Sequence, residues 1–228
     1  MCNTVTYLIL CLVFTFTVFG CKVSEKSLKT ETEMGVATPS ISTSSPTAEG
    51  ESLTPTKQLS VVMIIAPEDF RDEEYKVPKK VFESAGMKVV TASTRVGECS
   101  GMLGGKANAD VLLSSVAVKD YDGIIFVGGV GAKVYFDDPV AQNIAKEAVR
   151  ENKILAAICI APVILANAGV LRNKKATSFP SEKETLMNAG AQYTGKDVEV
   201  DGNIITASGP QAAEKFAVAI KSSIINKK

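Results

Sequence analysis

From Leu59 onward, short apolar runs alternate with stretches in which apolar residues recur at helical spacing. SVVMIIA (60–66) is continuous and β-rich, the pattern of a strand buried on both faces of a parallel sheet. It feeds residues 72–85, where Tyr75, Val77, Val81 and Phe82 predict a helix ended by Gly86, with a break or a first-turn position near Pro78. MKVVTAS (87–93) is the next strand, and the glycines of 96–109 predict a hairpin excursion. GIIFVGG (123–129) reads as a buried strand ending in a diglycine. DPVAQNIAKEAVREN (138–152) reads as an amphipathic helix with Pro139 in its first turn. KILAAI (153–158) is a strand, and APVILANAG (161–169) a helix closed by Gly169. KKATSF (174–179) gives a further strand, and Ser181-Glu182-Lys183-Glu184 has the form of a capping box opening a helix to Ala189. VEVDGNIITAS (198–208) reads as a hairpin, and Gln211–Ile224 as a closing helix. Strands and helices alternating on this scale predict an α/β fold, a mostly parallel sheet with helices on both faces.

The pattern before Leu59 is different. Val5 to Phe19 is apolar and uncharged, the length of a signal-peptide core and short for a spanning helix. It runs into Val18-Phe19-Gly20-Cys21, similar to a bacterial lipobox, in which Cys21 would receive lipid and become the new N-terminus. An uncleaved anchor helix is the alternative; either places the domain outside the cytoplasm on a membrane. Residues 22–58 are rich in Ser, Thr, Pro and Glu, with too little apolar surface to offset chain entropy, and read as a disordered tether. The expected organisation is therefore a leader (1–21), a linker (22–58) and one folded domain (59–228).

Composition narrows the chemistry. Lys+Arg and Asp+Glu balance at 25 each, so no global field recruits nucleic acid. The 228 residues include no histidine, which excludes Ser-His-Asp and Cys-His machinery and histidine-centred metal sites. With no Cys-x-x-Cys pair either, no metal is expected. Of five cysteines, Cys2, Cys11 and Cys21 fall in the leader, leaving Cys99 and Cys159, too few for a disulfide framework.

Cys159 stands where the strand ending at Ile158 meets helix-compatible residues. A tight strand-to-helix turn strains the backbone and aims the side chain outward, and a helix N-terminus favours a thiolate. That combination predicts a nucleophilic, easily oxidised sulfur with a lowered pKa. A small buried hydrophobe is the competing reading, and on spacing alone the more ordinary one.

AAICIAPVILANAG, FVGGVG (126–131) and PEDFRDEEYKVP (67–78) together resemble the ThiJ/PfpI family, of the class I glutamine-amidotransferase-like superfamily, from about Ser60 to Ile220. The resemblance implies a flavodoxin-like three-layer sandwich with Cys159 as the nucleophile on its elbow. It implies Glu74, four residues before Pro78, as a protonated acid or proton shuttle beside the sulfur. Gly128, Gly129 and Ile160 would form the oxyanion and substrate-binding pocket. It also implies a homodimer. Two positions depart from the family pattern: Ile160 and Phe179 stand where members carry a histidine, so a proteolytic triad is excluded. The family's anion-binding arginine is missing near Gly101, with Arg95 as a substitute. The function implied is cysteine-dependent glyoxalase or deglycase processing of small reactive carbonyls, without cofactor. A non-enzymatic redox sensor or chaperone-like protein using Cys159 oxidation, and a scaffold that has lost its chemistry, are the competing readings.

Overall fold

The computed structural model describes residues 57–227. The leader, its Cys21 and nearly all of the proposed tether lie outside the described residues. The described residues form eleven strands: β1 (Ser60–Ile64), β2 (Lys88–Ser93), β3 (Gly97–Ser100), β4 (Lys106–Ala109), β5 (Val111–Leu112), β6 (Gly123–Phe126), β7 (Ile154–Ile158), β8 (Lys175–Ala176), β9 (Gln192–Tyr193), β10 (Val198–Asp201) and β11 (Ile204–Ala207). The α-helices are α1 (Asp72–Ser84), α2 (Pro139–Arg150), α3 (Pro162–Asn167), α4 (Lys183–Asn188) and α5 (Ala213–Asn226).

Seven strands make one sheet in the order β10-β11-β7-β6-β1-β2-β5. Its pairs are parallel apart from the β10–β11 hairpin at one edge. Alternation of side chains along the strands divides the core in two. Val62, Ile64, Ile124, Phe126, Leu155 and Ala157 face the layer of α2, α3 and α4. Val61, Met63, Ile125, Ile154, Ala156 and Ile158 face α1 and α5. Phe82 of α1 and Phe216 of α5 are fully buried there, each contributing roughly 1.5–3 kcal/mol by leaving water. The expected three-layer architecture is present.

Three local expectations are corrected. Pro78 does not break α1, which runs through it in its second turn; the helix gives up one internal bond, at the carbonyl of Glu74, and its packing against α5 holds it. Only Lys175–Ala176 of KKATSF is strand, and it pairs with β9 outside the main sheet. The next residues are committed elsewhere: the Thr177 N–H donates to Thr206 Oγ1, and that of Phe179 to the Cys159 carbonyl. Finally, Ser181 caps no helix. Pro180–Glu182 is a 3-10 turn, α4 begins only at Lys183, and no side chain bonds its first amides.

Candidate functional site

Three chain segments meet at the C-terminal ends of β1, β6 and β7. Cys159 follows β7 directly and takes φ +65°, a left-handed conformation that costs a non-glycine residue about 1–2 kcal/mol. Its neighbours hold it there. Its N–H donates to the Ala207 carbonyl at 2.9 Å, and its carbonyl accepts from Phe179 N–H at 2.7 Å. The expected elbow is therefore real, with its strain fixed from β11 on one side and from Phe179 on the other.

Glu74 comes from the first turn of α1 and is fully buried. Its Oε2 accepts the Gly128 N–H at 3.1 Å, while Oε1 has no well-formed hydrogen-bond partner. The carboxyl meets the Cys159 thiol instead, an interaction that couples the two groups although it is not a well-aligned hydrogen bond. Gly128 makes this approach possible: a Cβ there would fall 2.5 Å from Glu74 Oε2 and 2.6 Å from Cys159 Cβ. Gly129, at φ +97°, has equally little room, with Arg71 N 2.4 Å from where a Cβ would stand.

Burial decides the protonation. It pushes the Glu74 carboxyl up to about 8, against the opposing pull of the Cys159 thiol, the Gly128 amide and the Arg71 charge. Burial, then the field of an ionised Glu74, pushes the Cys159 thiol up to about 12, although the nearby Gly129 and Ile160 amides favour its anion. The pair titrates as a unit: it is neutral at pH 7 and holds a single negative charge between those two values. The expectation of a lowered thiol pKa is overturned. Cys159 is only 9% exposed, and too little water reaches the sulfur to stabilise its charge.

The sulfur opens on a cavity of about 260 Å³ lined by both apolar and charged side chains, among them Arg71, Met102, Lys133, Ile160, Phe179 and Glu182. Ile160 and Gly129 belong to this wall, as expected. Gly128 does not: its N–H is spent on Glu74, so it supports the acid rather than contacting a ligand. Arg95 is elsewhere, bonded to the Pro67 carbonyl at 3.1 Å and half exposed. The cavity has two cations in its lining, Lys133 and Arg71, and sequence reasoning missed both. Arg71 precedes α1 and forks onto Glu73 at 2.8 and 3.1 Å. Its place three residues before Glu74 was the available signal. Among the described residues, no group of His, Cys, Asp and Glu is arranged to hold a metal ion, and no helix is long and apolar enough to cross a membrane.

The family model for DJ-1/PfpI matches residues 59–223. The chain belongs to the DJ-1/PfpI family. An uncharacterized protein of Methanocaldococcus jannaschii is 45% identical over 171 residues, 74% of this chain and 83% of the relative. A deglycase of Pyrococcus abyssi is 33% identical over 149 residues, 65% of this chain and 90% of that one. Among solved structures, the ThiJ/PfpI domain protein of Brachyspira murdochii superposes with a TM-score of 0.73 at 36% identity, covering 76% of this chain and 99% of its own. The mostly parallel sheet between helical layers is the flavodoxin-like fold of this family.

Proposed function

We propose that the protein is a cysteine-dependent enzyme of glyoxalase or deglycase type, acting on small 2-oxoaldehydes such as methylglyoxal or on their adducts. One observation carries this reading. A strained elbow holds the Cys159 sulfur against two backbone N–H groups and a neutral carboxylic acid, on the wall of a cavity of about 260 Å³. Resemblance to proteins named as deglycases supports the same chemistry.

The attack passes through the singly charged pair. Most of that charge sits on Glu74; when the remaining proton moves from sulfur to the carboxylate, the Gly129 and Ile160 amides stabilise the thiolate so formed. The C–S bond forms, the aldehyde oxygen becomes an oxyanion, and Glu74 returns its proton to that oxygen, giving a neutral hemithioacetal. About one molecule in ten carries the charge at pH 7 if the first proton leaves at about 8. That fraction grows tenfold per pH unit below 7, so the rate rises with pH and levels above 8. Peroxide sensing requires a standing thiolate, and the buried, protonated sulfur works against it.

The test is lactate formation from methylglyoxal by the full-length chain. Turnover in the native protein, lost in Cys159→Ala and strongly reduced in Glu74→Gln, is expected. Normal turnover by either variant would refute the assignment.

A further inference from the structure

Three charged side chains line the cavity beside Cys159, and two of them are already engaged. Arg71 forks onto Glu73, and Glu182 accepts from the Ser181 hydroxyl at 2.7 Å. Lys133 enters no ion pair among the described residues. The cavity volume of about 260 Å³ also leaves room beyond the few heavy atoms of methylglyoxal. We infer that the site selects 2-oxoaldehydes whose ketone side carries a carboxylate, with Lys133 as the residue that recognises the anion. This rests on the glyoxalase reading and names its substrate class.

The backbone beneath Lys133 is fixed. The residue stands in the 3-10 turn Val130–Tyr135, directly after the diglycine whose Gly129 amide lies by the sulfur. Ala132 before it and Tyr135 after it are buried, and the Tyr135 hydroxyl donates to the Ile65 carbonyl at 2.8 Å. The Gly131 N–H donates to the Asp69 carbonyl at 3.1 Å, and a Cβ at Gly131 would collide with the Glu68 carbonyl oxygen. The Lys133 side chain itself is exposed, so its ammonium waits for a ligand without the cost of being buried unpaired. Met102, Val130, Ile160 and Phe179 give the cavity an apolar wall for the carbon chain between the two ends of such a substrate. Glu182 is the acid of the lining and repels an anion set beside it, while Glu73 already answers the charge of Arg71. Lys133 is the place left for a carboxylate.

Such recognition orients the substrate as well as attracting it. With the carboxylate on Lys133, the aldehyde at the far end of the chain is directed toward Cys159, which saves entropy at the moment of attack. A lysine offers one point charge on a flexible stem rather than a planar fork, so it suits a single anionic group and tolerates some variation in chain length. Over the whole reaction one water is added. The aldehyde carbon is oxidised to a carboxyl group and the ketone carbon is reduced to a carbinol, so no external oxidant or reductant is needed. From 4,5-dioxopentanoate the product is 2-hydroxypentanedioate, where methylglyoxal gives lactate.

The full-length protein, Lys133→Gln and Lys133→Arg are assayed for kcat/KM with 4,5-dioxopentanoate and with methylglyoxal. In parallel, pentanoate and its uncharged counterpart pentanamide are compared as protectants of Cys159 against iodoacetamide, a readout that needs no turnover. The native protein is expected to prefer the carboxylated aldehyde by about tenfold. Lys133→Gln removes that preference and Lys133→Arg keeps most of it. Pentanoate protects at lower concentration than pentanamide only where the cation remains. A native preference below about twofold, or one that survives Lys133→Gln, would overturn the assignment and leave the Cys159 reading standing. Equal losses on both aldehydes in Lys133→Gln would overturn it too, since they mark a damaged site rather than a lost cation. Turnover of neither aldehyde, with protection by pentanoate still dependent on Lys133, would overturn the glyoxalase reading and leave Lys133 as a carboxylate subsite. Turnover of neither and no such protection would overturn both.

Discussion

Asp72 and Glu74 lie two residues apart in the first turn of α1, both buried, and they titrate in opposite directions. Burial alone raises each. At Asp72 it is outweighed by the N–H groups of Leu103 and Gly105 and by the Lys76 ammonium 3.5 Å away, which hold the carboxyl below its ordinary value. At Glu74 burial wins, because one amide, a coupled thiol and the more distant Arg71 are all that oppose it. The helix dipole is common to both and cannot be what separates them. What separates them is the cation and the depth. Each accepts one well-formed bond from a backbone amide, but Asp72 has the Lys76 ammonium beside it while Glu74 is wholly cut off from water. The first is therefore a carboxylate that clamps the β3–β4 turn, and the second remains an acid.

The sharpest way to break that contrast is to remove what the acid serves. Cys159→Ala brings lactate formation to background, whereas Cys159→Gly does the same yet is about 1 kcal/mol more stable than the alanine variant, since glycine accepts φ +65° freely. Chemical denaturation of the two variants checks the second half. Glu74→Gln is next, lowering kcat by about a hundredfold and flattening its pH dependence.

The same substitution reads the titration through stability. An acid whose pKa rises on folding contributes fully below its unfolded value near 4.5 and loses that contribution as pH climbs through about 8. The native protein therefore loses on the order of a few kcal/mol relative to Glu74→Gln between pH 5 and 9. Asp72 has the other sign. Its contribution is present above the unfolded value and fades as pH falls, and Asp72→Ala costs about 2 kcal/mol at neutral pH by leaving the Leu103 amide unpaired. Urea unfolding at several pH values tests both. Smallest of all, Cys99→Ala leaves activity unchanged: this thiol is fully buried in an extended strand, with a long contact to the Gly97 carbonyl at 3.7 Å as its sole bond.

Much of this was legible in the residues. Continuous apolar runs announce β1, β6 and β7, since strands buried on both faces need no alternation. The elbow follows from where β7 stops, whereas Glu74, four residues before Pro78, was reached only through the family resemblance. Charge state was not legible, because it depends on how many donors and how much water the folded neighbours supply. The local pattern at Cys159 predicted a favoured thiolate, and the depth of the cavity reversed it. The capping box of Ser181 and Glu184 misled for a related reason: it requires a helix starting directly behind its serine, and Pro180 instead sets a 3-10 turn there. Arg71 was visible only as one charge in an acidic run until folding put it on the cavity wall.

The most direct test of the buried acid is its own titration, followed by the Glu74 carboxyl resonance in selectively labelled native protein from pH 4 to 10. A neutral carboxyl through pH 7, ionising near 8, is the expected course. Ionisation complete below pH 5 would contradict it: the thiol would then face a standing carboxylate, and Glu74 would have no proton to give the aldehyde oxygen.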